Sequence, residues 1–280
     1  MNDIIMEWKE YEKEVHQECL RVFFDSEVTF NTHIMGRYSE HMRQVDVLVE
    51  DYEGKTLVID AKHYSKKVDV KTVESFISML KDLGADLGIL VSEKGFTKSA
   101  INRAHYGEEN IEVDILNLNE LKEFQSIGAL PYSGRHGIAA NAPFGWIIDG
   151  KRNDIAPALL YQRGLSFEEA ATNKEWAYLQ FYNKISEQET IQTVIEQQDR
   201  ELLASYPCGN IEYQSIDNIL VRTFSTQEYP TKEFTLFRDF GDFIVFIVLF
   251  CPDNIMKRDK EKMKYVLGNA IPIEIISQDS

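Results

Sequence analysis

The sequence lacks the features that mark several common classes of protein. Its only cysteines, Cys19, Cys208 and Cys251, are far apart and odd in number. This spacing excludes a disulfide framework or a paired-cysteine zinc site, and favours a reducing compartment. The most apolar run, Phe243–Phe250, is much shorter than the roughly 20 residues of a membrane-spanning helix, and its β-branched residues predict a buried strand. The N-terminus has no basic segment typical of a signal peptide. We therefore expect a cytoplasmic protein that does not bind a membrane.

Motifs of several enzyme classes are also missing. The six histidines include no pair at metal-ligand spacing, no glycine-rich phosphate loop is present, and no serine or cysteine lies in a nucleophile motif. Basic residues are scarce, because 30 Lys and Arg face 46 Asp and Glu, for a net charge of −16. Proteins that bind nucleic acid usually have a basic face, so this balance argues against non-specific, permanently active DNA binding.

The most informative stretch consists of two short apolar runs, 43–50 and 56–62, separated by a turn that contains glycine at 51–54. Their Val, Ile and Leu content predicts two paired strands. Side chains alternate across a strand, so Asp60 and Lys62 share one face, and in the first run Asp46 ends a similar alternation with Gln44. Two carboxylates beside an ammonium group suit Mg²⁺-assisted hydrolysis of a phosphodiester.

These residues resemble the motif of the PD-(D/E)xK nuclease superfamily and, within it, the Mrr-like restriction endonuclease catalytic domain. The resemblance covers about residues 1–125 and includes a crossover helix at 68–76, then a strand and a helix start at 88–100. Two positions depart from the family pattern. Val45 stands in place of the proline, and Asp60 replaces the more usual glutamate with a shorter side chain.

The resemblance implies a set of catalytic roles. Asp46 and Asp60 would bind Mg²⁺, for which Mn²⁺ could substitute, and the Ala61 carbonyl would be a third ligand. Lys62 would orient the attacking water and help to deprotonate it. Gln44, which precedes Asp46 by two residues, could orient the scissile phosphate.

A further acidic residue comes from the amphipathic helix predicted over residues 4–23. Glu12 lies at the edge of its apolar face, whereas Glu14 lies on the far side. A carboxylate at a core edge needs a partner, and the family places a helix-borne glutamate near the metal. We expect Glu12 to bind a second metal ion or its water. The alternative is a solvated surface glutamate.

Two basic groups are predicted to contact nucleic acid. Arg37 lies in a polar loop at 36–42, Arg43 follows that loop at the start of the Asp46 strand, and Lys66 and Lys67 follow the second strand. The alternative for both groups is an ordinary solvated surface.

The predicted fold class is α/β, with a restriction-endonuclease-like mixed sheet flanked by helices over residues 1–125. A β-α-β unit with parallel strands is expected there, its helix ended by Gly84 and the next helix capped by Thr97. A Gly/Pro-rich connection and a helical segment follow over 126–205, in which the aromatic stretch 176–182 is interpreted as helical. A smaller α+β domain of unknown role occupies 206–280.

The sequence thus favours a Mg²⁺-dependent DNA endonuclease acting in restriction or anti-phage defence. Its C-terminal half would regulate cleavage, recruit a protein partner, or build a homodimer or higher oligomer. Two alternatives remain open. One is an interaction scaffold that keeps a nuclease-like fold, which the acidic balance favours, and the other is a nuclease that acts on RNA.

Overall fold

The computed structural model describes residues 2–51, 54–106, 110–124, 127–151, 156–186, 188–216 and 219–276. The chain forms two compact units, unit 1 (Met1–Gln125) and unit 2 (Ser126–Ser280). Unit 1 contains a five-stranded mixed sheet with helices, and further sheets follow in unit 2. The predicted α/β class is therefore confirmed. Across the described parts of the chain, the helices are too short or too polar to span a membrane.

Unit 1 contains α1 (Asn2–Val22), β1 (Glu27–Met35), β2 (Met42–Glu50), β3 (Thr56–Lys62), α2 (Val70–Leu83), β4 (Leu87–Ser92), α3 (Lys98–His105), β5 (Glu112–Leu116) and α4 (Leu118–Lys122). The sheet follows chain order from β1 to β5. The first three strands pair antiparallel, whereas β3, β4 and β5 pair parallel, which confirms the predicted crossover. The turn predicted at 51–54 includes Tyr52 and Glu53, which lie outside the described residues.

Of the helices that follow β3, α2 ends at Gly84 and α3 begins after Thr97, as the sequence predicts, but α2 begins at Val70 rather than at 68, because Val68 forms a β-bridge with Phe96. Asp69 caps α2 by accepting a hydrogen bond from the Thr72 N–H, and Gly84 ends it with a left-handed φ of 72°. Thr97 caps α3 in the same way. The apolar faces of α2 and α3 share one core cluster with Val58, Leu90 and other strand residues. On the opposite face of the sheet, His16 of α1 stacks on Phe30 of β1.

Unit 2 contains β6 (Ile127–Ala129), β7 (Tyr132–Ser133), β8 (His136–Asn141), β9 (Trp146–Asp149), β10 (Ala158–Gln162), α5 (Phe167–Thr172), β11 (Trp176–Asn183), α6 (Ile191–Ser205), β12 (Asn210–Ile216), β13 (Ile219–Thr226), β14 (Tyr229–Asp239), β15 (Phe243–Phe250), α7 (Met256–Gly268) and β16 (Ile271–Glu274). Seven strands form an antiparallel sheet in the order β12-β13-β14-β15-β11-β10-β9, and β16, β8 and β6 belong to a second sheet to which β7 adds through β8. The apolar run Phe243–Phe250 is β15, so the predicted buried strand is confirmed.

The helical interpretation of residues 176–182 is wrong, because this stretch is β11, an inner strand between β15 and β10. Ala177 and Leu179 are fully buried, and the aromatic residues Trp176 and Tyr178 alternate with them at a period of two. Aromatic side chains suit such a pleated surface. The capping box at Ser166 is real but begins only the short helix α5. Residues 126–205 therefore contribute strands to the sheets of unit 2.

Candidate active site

The structure brings Asp46, Asp60 and Lys62 together at the ends of β2 and β3. Val47 lies opposite Ile59 in the register of the two strands, so Asp46 lies beside Asp60. One Asp46 carboxylate oxygen accepts a hydrogen bond of 2.9 Å from the Ala61 N–H. The Lys62 ammonium lies 2.8 and 2.7 Å from the two carboxylate oxygens of Asp60. The alternation expected from the sequence thus produces a compact group of opposite charges.

The electrostatics of this group follow from burial and crowding. Burial raises the pKa of Asp46, and the hydrogen bond and the charge repulsion of Asp60 raise it further, against the lowering effect of the Ala61 N–H. The Asp46 carboxyl group therefore takes up a proton more readily than an ordinary aspartate. Burial acts to lower the pKa of Lys62, but the attraction of Asp60 outweighs it and the pKa is raised. Lys62 is accordingly an ammonium ion at neutral pH.

Glu12 on α1 is close enough to Asp60 to interact with its charge. Glu12 is only 6% exposed, and its Oε1 atom has no hydrogen-bond partner among the described residues. Its pKa is raised by burial first and by Asp60 second, while Lys62 and Lys9 act in the opposite direction. Glu14, by contrast, is exposed and lies 3.8 Å from the Lys122 ammonium. The two glutamates are therefore placed as the helical phase predicts.

The donor set fits a hard divalent cation. Asp46, Asp60 and Glu12 contribute carboxylate oxygens, which Mg²⁺ prefers. The partnerless Oε1 of Glu12 is an observation that a bound cation or its water would explain. In their present conformation, the described residues do not enclose a site of three or more such ligands. In this conformation Asp60 is engaged by Lys62, and Asp46 by the Ala61 N–H. A cation would therefore have to replace part of these contacts.

Gln44 is exposed on β2, two residues before Asp46. Its side-chain N–H donates a hydrogen bond of 2.9 Å to the carbonyl oxygen of the Asn31 side chain on β1. The side chain of Ala61 is buried, so only its backbone is available for the ligand role implied by the family resemblance. Sequence reasoning did not identify Asn31, since its contact depends on how β1 and β2 pair.

The two arginines predicted to bind nucleic acid lie at the C-terminal end of α2. The Arg43 guanidinium donates to Asp82 over 2.6 Å. Asp82 also accepts hydrogen bonds from the backbone of Tyr38 and Ser39 and from the Ser39 hydroxyl. These bonds, that of the Ser39 hydroxyl first, hold the pKa of Asp82 well below its usual range. Arg37 is exposed, with its guanidinium against Gly84. The structure thus gives Arg43 an internal partner.

Lys66 and Lys67 are exposed after β3. Lys66 lines a cleft of about 1290 Å³ together with His63, Tyr11 and several acidic residues. In this cleft His63 lies 2.9 Å from a Glu93 carboxylate oxygen and packs against the Tyr11 ring. Sequence reasoning missed this pair. The signal was available, because parallel pairing sets Lys62 opposite Ser92 and makes the following residues neighbours.

Residues 5–125 match the family model of a restriction endonuclease, the Mrr catalytic domain. Unit 1 is an Mrr-like restriction endonuclease domain. This domain supports a nuclease activity and confirms the resemblance to the PD-(D/E)xK superfamily and the restriction-endonuclease-like fold. The match ends where unit 1 ends. No curated protein matches the chain at a significant level.

Among solved structures, the chain is similar to a protein of unknown function, AF1548, with 17% identity, a TM-score of 0.31 and coverage of 38% of this chain and 57% of that one. The chain thus spans less than two thirds of that relative. Cyanobacterial PsbP from Synechocystis sp. PCC 6803 matches with 13% identity, a TM-score of 0.33 and coverage of 52% and 94%. The Thermococcus gammatolerans assembly of McrB with bound McrC matches with 12% identity, a TM-score of 0.27 and coverage of 39% and 27%.

Proposed function

We propose that the protein is a Mg²⁺-dependent endonuclease that hydrolyses phosphodiester bonds in DNA. The observation that supports this most directly is the group of Asp46, Asp60 and Lys62 within a restriction endonuclease domain. Carboxylate pairs beside a cation are what metal-assisted phosphodiester hydrolysis requires. Mn²⁺ would substitute, because it accepts the same oxygen ligands.

Each residue of the group has a role in this proposal. Asp46, Asp60 and the Ala61 carbonyl would hold the metal ion, with Glu12 binding a second ion or its water. The bound cation would polarise the phosphate and lower the pKa of the attacking water. Lys62 remains an ammonium ion, so it donates hydrogen bonds that orient the water. It also offsets negative charge that develops on the phosphate.

The remaining parts of the chain fit the same proposal. The basic residues that would contact phosphates around the cut are Arg37, Arg43, Lys66 and Lys67. The Arg43 guanidinium would have to bind a phosphate and Asp82 at the same time. Cleavage of both strands needs two active sites, which a homodimer or higher oligomer supplies. Unit 2 would assemble that oligomer, regulate cleavage or recruit a protein partner. The cellular role would be restriction or anti-phage defence in the cytoplasm.

The proposal is tested by incubating phage and host DNA with the full chain, with and without Mg²⁺. Lys62→Ala removes a group whose stabilisation is concentrated in the transition state, so cleavage falls on the order of 10²-fold or more. DNA binding falls only modestly, since one phosphate contact of several is lost. Asp60→Asn abolishes the Mg²⁺ dependence together with the rate, because an amide is a poor ligand for Mg²⁺.

Lys13→Ala is the matched control, since Lys13 is an exposed cation on α1. It should leave the rate unchanged. The net charge of −16 favours a second candidate, an interaction scaffold that does not cleave nucleic acid. Wild-type function in cells that carry Lys62→Ala or Asp60→Asn would favour the scaffold. Mg²⁺-dependent cleavage of RNA but not DNA would replace the proposed substrate.

A further inference from the structure

The β1–β2 hairpin has an irregularity beside Asp46. Phe30 stacks on His16 of α1, with ring centroids 4.8 Å apart, whereas Ile34 packs against the core cluster of α2. Regular alternation would put both side chains on one face. The side-chain alternation of β1 therefore reverses between them. β2 reverses as well, because Val45 and Leu48, three residues apart, belong to the same cluster.

Asn31 lies at this reversal. Its φ is +48°, which is the left-handed region that side chains other than glycine rarely adopt. The strand register pairs Phe30 with Val47 and Thr32 with Val45, so Asn31 lies opposite Asp46. Backbone strain of this kind costs free energy and tends to be retained where function needs it. Here the strain lies directly beside the candidate active site.

The reversal produces a row of exposed side chains that begins next to Asp46. We name it the hairpin stripe, and its members are Asn31, His33, Met35, Met42 and Gln44. His33 lies opposite Gln44, and Met35 lies opposite Met42. In a chain of net charge −16 the stripe contains no acidic residue. Its members are polar groups that make hydrogen bonds and apolar methionines. Such side chains suit contacts to bases more than contacts to phosphates.

The Gln44 amide is held in a defined orientation by Asn31. One of its two N–H bonds donates to the Asn31 carbonyl oxygen over 2.9 Å. Within the described parts of the chain, its second N–H and its own carbonyl oxygen remain as a donor and an acceptor side by side. This is the pair by which a glutamine recognises adenine in the major groove. The strained Asn31 thus provides the contact that orients Gln44.

Distance and shape identify the occupant as the DNA substrate, and this step rests on the proposed function. The stripe runs from Gln44 to Met42, four residues from Asp46, which is about 13 Å along a strand. One base pair rises about 3.4 Å, so the stripe lies within about four base pairs, along the strand, of a scissile phosphate held at Asp46. A two-stranded ribbon also fits the major groove.

We propose that the hairpin stripe reads bases within about four base pairs of the cut. Gln44 contacts a base, and Asn31 is a positioning residue that acts through it. This differs from the role for Gln44 expected from the sequence, in which it orients the scissile phosphate. Loss of a phosphate contact weakens the binding of all sequences equally, whereas loss of a base contact changes which sequences are bound. The two roles can therefore be separated by experiment.

The experiment selects duplexes from a randomised DNA library with the full-length protein, with Ca²⁺ in place of Mg²⁺, and sequences the bound pool. Wild type should enrich adenine at one position. Gln44→Ala should reduce that enrichment on the order of tenfold. Gln44→Glu should move it toward cytosine, because a carboxylate only accepts hydrogen bonds. Gln17→Ala, at an exposed glutamine on α1, is the matched control and should bind the wild-type pool.

Asn31→Gly separates positioning from a purely structural role. Glycine adopts the left-handed backbone without strain, so the melting temperature should rise while the base preference is lost. A bound pool as random as the library, no retained duplex, or an unchanged preference in Gln44→Ala would overturn the inference. A uniform loss of binding across all sequences would support the phosphate role instead and also overturn it. Incubation of the same library with Mg²⁺ tests the proposed cleavage independently, since base preference is measured without any cut.

Discussion

The Glu12 carboxylate affects both the stability of the fold and the candidate active site. It is 6% exposed on α1, its Oε1 lacks a hydrogen-bond partner among the described residues, and burial together with Asp60 raises its pKa. A buried, unsatisfied carboxylate destabilises the fold unless a cation is bound. Under the proposed function, Glu12 therefore favours metal binding at the expense of metal-free stability.

Glu12→Gln should therefore stabilise the metal-free protein by about 1 kcal/mol at neutral pH, since a neutral amide is less costly to bury than a charge. It should also reduce the rise in melting temperature that Mg²⁺ produces. Thermal unfolding with and without Mg²⁺ measures both effects. Glu14→Gln is the control, because Glu14 is exposed and should change neither quantity. A larger Mg²⁺ effect in Glu12→Gln would contradict a metal-related role.

The site residues divide into those that local periodicity predicts and those that it does not. Asp60 and Lys62 follow from strand alternation, and Glu12 follows from helical phase. Asn31 and Asp82 could not be found in this way. The first depends on a reversal of strand alternation and the second on contacts with a loop about 40 positions away in sequence. Such contacts depend on tertiary structure, for which a single sequence has no periodic signal.

At the scale of elements, the end of α2 combines two constraints at Gly84. Its φ of +72° disfavours any side chain, and an added Cβ would overlap the Arg37 guanidinium. Gly95 has nearly the same φ, +73°, but an added Cβ there would meet no atom within 4 Å. Substitution of each glycine therefore distinguishes the cost of backbone strain from the cost of steric overlap.

Gly95→Ala should cost about 1–2 kcal/mol of unfolding free energy from strain alone. Gly84→Ala should cost more, because Arg37 must also move. Urea denaturation of the two variants measures the difference. Combining Gly84→Ala with Arg37→Ala should remove the additional cost, and an equal cost for both glycine variants would show that Arg37 moves freely.

Strands of unit 2 after residue 206 were predictable, because apolar runs of β-branched residues define β13 and β15. The error at β11 has a physical cause. One face of β11 is buried at Ala177 and Leu179 and the other is half-buried and aromatic, so over Trp176–Leu179 no polar side reveals its period. In the sequence alone, the aromatic residues Trp176, Tyr178 and Phe181 have the spacing of a helical stripe. The structure shows that Ala177 and Leu179, which lie between them in sequence, are buried.

At the scale of the whole molecule, unit 2 carries a buried charge cluster in its own core. Glu175 is 1% exposed and lies 2.7 Å from the Arg258 guanidinium, which also contacts Asp259 over 2.9 Å. Burial and the charge of Asp259 raise the pKa of Glu175, against the lowering effect of Arg258. A raised pKa means that the folded state favours the protonated acid. The stability from Glu175 is therefore complete below about pH 4.5, the ordinary glutamate pKa, and falls as pH rises.

Glu175→Gln should remove this pH dependence. Its melting temperature should match wild type near pH 5 and exceed it near pH 8. The gain is about 1.4 kcal/mol for each unit by which the pKa is raised. Calorimetry across this range measures the effect on unit 2. Glu168→Gln, at an exposed position on α5, should follow wild type at every pH. A variant less stable than wild type at pH 8 would show that the ion pair with Arg258 outweighs the cost of burial.

The division of the chain into two units also predicts the outcome of truncation. Unit 1 has its own core and all the candidate metal ligands, so residues 1–125 should retain Mg²⁺ binding, measured by isothermal titration calorimetry. Regulated cleavage and assembly should be lost if unit 2 is responsible for them. Full regulated cleavage by residues 1–125 alone would assign unit 2 another role.

The order of strand pairing has a consequence for the nascent chain on the ribosome. The sheet of unit 1 follows chain order and is complete once Leu116 has emerged. In unit 2 the inner strand β11 must wait for β15, whose first residue is Phe243. At bacterial or eukaryotic synthesis rates, synthesis from Leu116 to Phe243 takes roughly 10 s. During every round of translation, a complete endonuclease domain is therefore exposed to the cell before unit 2 can close its sheet.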